Sequence, residues 1–411
     1  MKKTRFKQFL RERNQFSVSG NETLLSVSEY YGVKPRAEAF EGEEFESRAS
    51  TLEGYRVVKE NDLVMNYMLA WKGAYGISKH DGIVSPAYSV FEVDRSKVDV
   101  RYLHHRVRSD EIKAYFRSRS KGIIESRLRL YPDSLLASFV SIPDLSTQRE
   151  IADFLDRETA RIDLLIEKKQ KLVALLGERN QVARSDNMKR LRTTYGERKL
   201  SHVCVIQRGR FNHRPRNAEE LYGGEFPFIQ TGDVAQSKKF ISKYTQTLSE
   251  LGASISKKFS TNTVLMAIAA NVGNVAILNF DAYCPDSVVG FLPSKSLSAE
   301  FLYYVLKDAS KEIATASTSN AQDNTNIARL SAIRVPFPPM HKQISVAAHF
   351  AAQEEYQIRF SKKSIISVDR LKEYRSALIT AAVTGQIDVT TYAKSGTNDR
   401  RLDAIQEEMG A

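Results

Sequence analysis

Apolar residues follow two rhythms along this chain, and each rhythm occurs twice. In residues 1–143 the apolar runs are short or alternating: Val57-Val58, Leu63-Val64-Met65, and Tyr88-Ser89-Val90-Phe91-Glu92-Val93. Gly32, Gly54, Gly73, Gly76, Gly82 and Pro86 punctuate them. Short apolar runs between turn formers predict strands. The pattern returns in Pro227-Phe228-Ile229, Thr263-Val264-Leu265-Met266, Val275-Ala276-Ile277-Leu278 and Val288-Val289-Gly290-Phe291. Helices are expected between them, near Ser109–Arg119 and Ser298–Ala314. Each block reads as an α+β globule with a mainly antiparallel sheet.

After each block the rhythm becomes helical. Pro143 and Pro338 mark the approach to a helix, because proline cannot continue one from upstream. Leu155, Ile162, Leu165, Leu172 and Leu176 then follow at spacings of seven, three, seven and four, widened by Ile151, Ile166 and Val173. Arg157, Arg161, Glu167, Lys168 and Lys171 form the other face. The later copy carries Phe350, Phe360, Leu371, Tyr374 and Leu378, with Ile365, Ile366 and Val368 beside them, and ends near Thr384-Gly385. Glycine there suits a C-cap. These are amphipathic helices of coiled-coil character. About 35–40 residues of helix reach ~50–60 Å. Two such stripes can bury each other, which predicts an antiparallel pair separating the globules. The alternative is that each helix packs back on its own globule. Beyond Val389 the polar tail reads as peripheral.

The two halves are copies. Ile142-Pro143-Asp144-Leu145-Ser146-Thr147-Gln148, followed by Ile151-Ala152 and Leu155, matches Phe337-Pro338-Pro339-Met340-His341-Lys342-Gln343, followed by Val346-Ala347 and Phe350, at an offset of 195. Leu176/Leu371 and Glu178/Glu373 keep that offset. Gly73-Ala-Tyr-Gly-Ile77 parallels Gly273-Asn-Val-Ala-Ile277 at 200. A period this long means duplicated domains rather than a solenoid.

Composition narrows the function. The 411 residues hold 61 Lys and Arg against 49 Asp and Glu, a net charge of +12. A basic globular chain most often meets a polyanion, nucleic acid first. Two cysteines, Cys204 and Cys284, cannot build a disulfide framework or a structural zinc site and read as buried thiols. The basic N-terminus lacks the apolar run of a signal peptide, and no stretch is long enough to span a bilayer, so a cytoplasmic location is expected.

No catalytic residue is expected. There is no Gly-x-x-x-x-Gly-Lys-Ser/Thr phosphate loop and no Asn-Pro-Pro-Tyr/Phe tetrad for a flipped adenine. Pro143-Asp144 with Glu167-Lys168-Lys169 imitates a metal-nuclease pattern, but its second element would lie on a helix where a strand is needed. His104-His105 reads as a packing or surface pair without a third metal ligand. What remains is a binding surface. Gln207-Arg208-Gly209-Arg210-Phe211-Asn212-His213-Arg214-Pro215-Arg216 holds four arginines and no acid, with amides and rings between them. Arginine can fork onto guanine and Asn or Gln onto adenine. Trp71, Lys72, Tyr75 and Lys79 form a second candidate; Asn271 and Asn274 are their repeat equivalents, and a shared scaffold role is the rival reading for all six. For Trp71 itself a place in the core is the stronger reading. Arg127 and Arg129 alternate as if on one strand face, for phosphate contact or as outer charge. The basic segment Lys2 to Arg13 suits phosphates or a solvated terminal helix equally.

Val57-Val58-Lys-Glu-Asn-Asp62-Leu63-Val64-Met65-Asn66-Tyr-Met-Leu-Ala-Trp71-Lys-Gly73, running into Gly82-Ile83-Val84-Ser85-Pro86, closely resembles the target-recognition domain of type I restriction–modification specificity subunits. The stretches Ser120 to Tyr131, Gln148 to Asp156, Pro227 to Val234 and Leu371 to Gly385 resemble the same family. The resemblance implies target-recognition domains at 1–143 and 193–338, spacer helices at 144–192 and 339–390, and a tail at 391–411. It implies a non-catalytic subunit reading both halves of a split double-stranded DNA target. Leu155, Ile162, Leu165, Leu172, Leu176, Phe350, Phe360, Leu371 and Leu378 would then form the spacer seam, the helices fixing the gap and binding two modification subunits. Restriction and translocase subunits would complete the complex, with S-adenosylmethionine, ATP and Mg on those partners and no cofactor on this chain. The rival classes are a coiled-coil adaptor whose globules bind protein, and a methyltransferase or nuclease in its own right.

Overall fold

The computed structural model describes residues 1–39, 51–211, 218–270, 272–318 and 327–407. It divides into two compact units, Met1–Lys171 with Lys362–Ala411, and Leu172–Ser361. Both divisions fall inside long helices.

In the first unit the alternating segments form an antiparallel sheet in the order Leu10–Glu12, Ser89–Val93, Leu63–Met65, Tyr75–Ile77. Arg56–Val58 pairs with Gly82–Val84, and Leu25–Ser28 with Gly32–Pro35. The helices Val100–Arg108 and Asp110–Arg119 supply Tyr102, Leu103, Val107, Ile112 and Phe116 to the core. The N-terminus is not a terminal helix. Lys2–Arg5 is a strand paired with Phe139–Ile142, because Phe6, Phe9 and Leu10 just beyond it are buried. Arg13 forks onto the buried carboxylate of Asp62 at 2.8 and 3.1 Å, which commits that cation to structure.

The second unit repeats the central sheet of this plan. Leu63 faces Ile77 and Phe91; Val264 faces Ile277 and Phe291. The order Cys204–Arg208, Val288–Pro293, Val264–Ala267, Val275–Leu278 copies the first sheet. Even the turns agree. Asn61 and Asn262 both take positive φ, 74° and 62°, and the carboxylates of Asp81 and Asp281 each accept the N–H of the residue before that asparagine, Glu60 or Thr261. The expectation of mainly antiparallel sheets holds, with parallel exceptions at Phe240–Ile241 and Phe228. The second copy also adds the strands Tyr222–Phe228 and Gln246–Leu248 beside Ala282–Cys284.

The long helices run Leu145–Tyr195 and Met340–Val383, 51 and 44 residues. They are longer than expected, about 65–75 Å at 1.5 Å per residue. As the first advances from Asp163 to Asn180, its contact on the second retreats from Arg375 to Gln357, so they run antiparallel. Gly385 closes the second helix with φ 74°, as its type requires.

Pairing and packing back on the globule both occur. In the first unit Leu155, Ile162, Leu371 and Leu378 are buried in one cluster that also contains Phe6, Tyr102 and Phe116, with Leu165 packed against it. The rest of the expected seam needs correction. Phe350 belongs to the core of the second unit, its ring 5.3 Å from that of Tyr304. Leu172, Ile365 and Ile366 are 50%, 60% and 54% exposed. Leu176 is half-buried, as is Phe360, which stacks on Tyr356. Where those side chains turn outward, the helices meet through polar groups: Asn180 donates to Gln357 at 2.9 Å, beside Gly177, where any Cβ would crowd Gln357. The helical period drifts against a seven-residue repeat, so without supercoiling a seam rotates off its partner within a few turns.

The tail is not peripheral. Leu402 is buried in the core cluster of the first unit, with Tyr392 and Ile405 packed against it. The buried Asn398 links the Glu158 carboxylate to the Tyr374 hydroxyl, and Asp399 pairs with Arg161.

A glutamine secures the root of each long helix. The Gln148 carbonyl accepts the Asp99 N–H at 2.9 Å while its amide donates to the Pro143 carbonyl at 2.9 Å. Gln343 does the same with the Ser298 N–H at 2.8 Å and the Pro338 carbonyl at 2.9 Å. Both side chains are buried, so each amide ties the start of its long helix to the residue that precedes a helix within the globule, Asp99 before Val100–Arg108 and Ser298 before Ala299–Thr318. Gln148→Leu leaves a backbone N–H and C=O without partners and should lower unfolding free energy by about 1–3 kcal/mol. Urea denaturation of the full chain measures it, and an unchanged midpoint would refute the role.

Candidate nucleic-acid interface

In the first unit Trp71 sits in the single helical turn Ala70–Lys72, closed by Gly73 at φ 104°. The indole is half-buried, between its expected core place and the surface. Lys72 lies 5.1 Å and Arg117 5.5 Å from the ring. Arg117 also bonds Glu125, which opens the turn Glu125–Arg127. Lys121 and Arg129 bridge across the base of that loop, and the Arg129 guanidinium donates to the Leu128 carbonyl at 2.9 Å. Trp71, Lys72, Arg127 and Arg129 are thus brought together, with Arg117 as a member that the sequence reading missed. Its only earlier signal was its place on the expected helix near Ser109–Arg119.

Three expectations change. Tyr75 is a core residue, 1% exposed and edge-on to Phe116, so it cannot reach a base. Burial pushes its phenol well above the ordinary tyrosine range. Arg127 and Arg129 do not share a strand face; one ends a tight turn and is exposed, the other is half-buried at the loop base. Lys79 is exposed in a separate turn after Tyr75–Ile77, near the Lys59–Asp81 pair.

In the second unit Gln207 and Arg208 end the strand Cys204–Arg208. Arg208 is half-buried, with Nε donating to the Asp286 carbonyl at 2.5 Å. Gly209 lies against the Cys284-Pro285 backbone so tightly that a Cβ would stand 2.0 Å from the Pro285 oxygen. Arg210 is exposed while its backbone is held by Cys284 and Lys257. Phe211 is buried on Phe228 and Tyr222, at 5.2 and 6.0 Å. Asn212, His213, Arg214, Arg216 and Asn271 lie outside the described residues.

Sheet register explains why these segments matter together. Arg208, Val289, Met266 and Val275 stand in one row across the second sheet. Gln207-Arg208 and the exposed Asn274 therefore emerge at the same end of it. In the first unit Met65 occupies the same row between Ser89 and Tyr75, so the Trp71 turn emerges at the matching end. Each globule presents loops from one equivalent sheet edge.

Among the described residues, the candidate catalytic groups lie apart from that edge. His104 is half-buried with its Nδ1 accepting the Ile77 N–H at 3.3 Å, and desolvation pushes its pKa down; His105 meets Asp156 at 2.9 Å. The thiols are buried and pushed up, to about 12 for Cys204. Asp144 caps the first long helix through the Thr147 N–H, and Glu167 and Lys168 are exposed on that helix. Among the described residues, no group of His, Cys, Asp and Glu could hold a metal ion, and no helix is long and apolar enough to cross a membrane.

Residues 193–370 match the model of the type I restriction modification DNA specificity domain. That match makes the second of the two repeated halves similar to the type I restriction–modification specificity family. The type I restriction enzyme HindI specificity subunit of Haemophilus influenzae is 28% identical over 181 residues, which are 42% of this chain and 38% of that subunit. The alignment thus spans under two fifths of the relative's length. Two solved structures share the fold. One, from work on complex assembly and conformational transition of the type I R-M system, has a TM-score of 0.65 at 17% identity and covers 93% of this chain and 97% of its own. The HsdS subunit from Thermoanaerobacter tengcongensis has a TM-score of 0.53 at 18% identity and covers 94% and 97%.

Since the Tyr75 hydroxyl is buried without a hydrogen-bond partner, Tyr75→Phe should be neutral or stabilise the fold by up to about 1 kcal/mol. DNA affinity should not change. Thermal unfolding and a binding titration check both, and a selective loss of binding would return Tyr75 to the interface.

Proposed function

We propose that this chain is the DNA sequence-specificity subunit of a type I restriction–modification complex. Globules at 1–143 and 193–338 each read one half of a bipartite target, and the helices at 144–192 and 339–390 set the gap between them. The observation that carries this reading is the repeated sheet edge: the same register twice delivers loops rich in Lys, Arg and amide side chains, with different side chains in each copy. Equivalent scaffolds with unequal loops suit an asymmetric target, since phosphate contacts position a protein and base-edge contacts select the sequence.

The chain itself is non-catalytic in this reading and works in the cytoplasm. Two modification subunits dock on the helices, where Leu164, Ile365 and Ile366 in the first unit and Leu172, Leu175 and Val182 in the second are exposed apolar side chains. S-adenosylmethionine, ATP and Mg bind to the modification and restriction subunits. The described part of the tail, 391–407, works with the first globule.

Mapping methylated adenines after exposing DNA to the reconstituted complex tests the assignment. A split target should emerge, and replacing residues 1–140 should change only one of its halves; a change in the other half would overturn the domain assignment. Binding should weaken steeply with salt. Lys72→Ala and Arg127→Ala should each lower the log–log salt slope by about 1, by removing one phosphate contact. A slope unaltered in the double variant would remove this patch from the interface.

A further inference from the structure

Ile123 stands 102% exposed, and its neighbour Ile124 51%. A β-branched side chain wholly in water gains nothing from folding, yet the loop that presents it is built firmly. Lys121 and Arg129 exchange both backbone hydrogen bonds at 2.9 Å. Gly122 is pressed so close to the Arg127 carbonyl that a Cβ would stand 2.6 Å from it. The turn Glu125–Arg127 is tied to the preceding helix by Arg117. At the root Leu130 is fully buried with its N–H on the Tyr67 carbonyl, and Tyr131 stacks on Tyr67.

The surroundings say what such a prong meets. Residues 117–129 hold five cations, Arg117, Arg119, Lys121, Arg127 and Arg129, against the single acid Glu125. Arg119, Lys121 and Arg127 are exposed around the tip, and the Trp71–Lys72 turn adjoins it through Arg117. An apolar tip inside a cationic collar complements a base-pair step flanked by phosphates. Apolar wedges inserted between base pairs unstack and kink a duplex, and the cost, which depends on the step, is itself a source of sequence choice.

We propose that the loop 121–129 is a DNA wedge, with Ile123 entering a base-pair step of the half-site read by the first globule while Lys121 and Arg127 hold the flanking phosphates. This rests on the DNA-specificity reading above and adds a mode of readout to it: deformation of the duplex as well as edge contacts.

The test uses the full chain assembled with its modification subunits. Duplexes are first retrieved from a randomised pool by that complex, and 2-aminopurine is then placed at each adenine of a retrieved sequence. One position should brighten on binding. Ile123→Ala should abolish that signal and weaken binding roughly 10- to 50-fold, as expected for three buried carbons. Ile123→Leu should retain most of both, and the salt slope should stay the same because no phosphate contact is lost. The wedge is overturned if Ile123→Ala matches the wild type in affinity and fluorescence. It is equally overturned if binding weakens with no bright position in the wild type, which makes Ile123 a groove contact. Impaired subunit assembly at normal DNA distortion would also overturn it, assigning the prong to a protein partner. Retrieval of no duplex by the wild type would instead sink the DNA reading itself.

Discussion

A long amphipathic helix carries an apolar stripe that has to be covered, and in this protein the cover comes from two sources at once. In the first unit the stripes of both helices enter the same cluster as the globule's own core, from Phe6 to Leu402. In the second, Phe350 reaches into the globule and packs on Tyr304. The helix is therefore an extension of the globule's core. Burying about 1.5–3 kcal/mol of apolar side chain at each such position makes the joint far stiffer than a peptide linker. The buried glutamines add direction to that stiffness, since an amide that must satisfy a carbonyl and an N–H together admits few orientations.

The duplication separates what must stay from what varies. Pairings such as Leu63 with Phe91 and Val264 with Phe291 recur because a one-residue slip would turn every core side chain toward water. The loops at the sheet edge are free of that constraint. In one copy the edge carries an indole between two cations; in the other it carries Arg208 anchored on Asp286 and Arg210 exposed. A duplicated frame with diverged edges keeps one core while presenting two unlike sets of loops.

Middle portions of the helices are apolar without being packed. Leu172, Leu175 and Val182 are about half exposed or more, while Asn180 and Gln357 meet each other. A polar pair at a seam costs stability and sets register. Apolar side chains that leave the seam remain exposed on the helix surface.

The residue pattern by itself determined the repeat, the antiparallel globules and both long helices, because alternation and helical spacing are local properties that survive in any tertiary context. It also pointed to the Trp71 and Arg208 segments, which the structure places in a single helical turn and at a strand end. Tertiary structure decided the rest. Tyr75 and Lys72 are near neighbours in sequence, yet one is buried and the other exposed, since Tyr75 opens a wholly buried strand beneath the helix bearing Phe116 while Lys72 ends the turn before it. Leu172 and Leu371 have equal claims to a seam by spacing, but only contact across space fills one of them. The tail reads as loose because its composition is polar; it is held through a few residues, Asn398 and Leu402 among them, whose partners lie more than two hundred positions away or on another element. Periodicity reports which residues need cover, and only the folded chain reports what covers them.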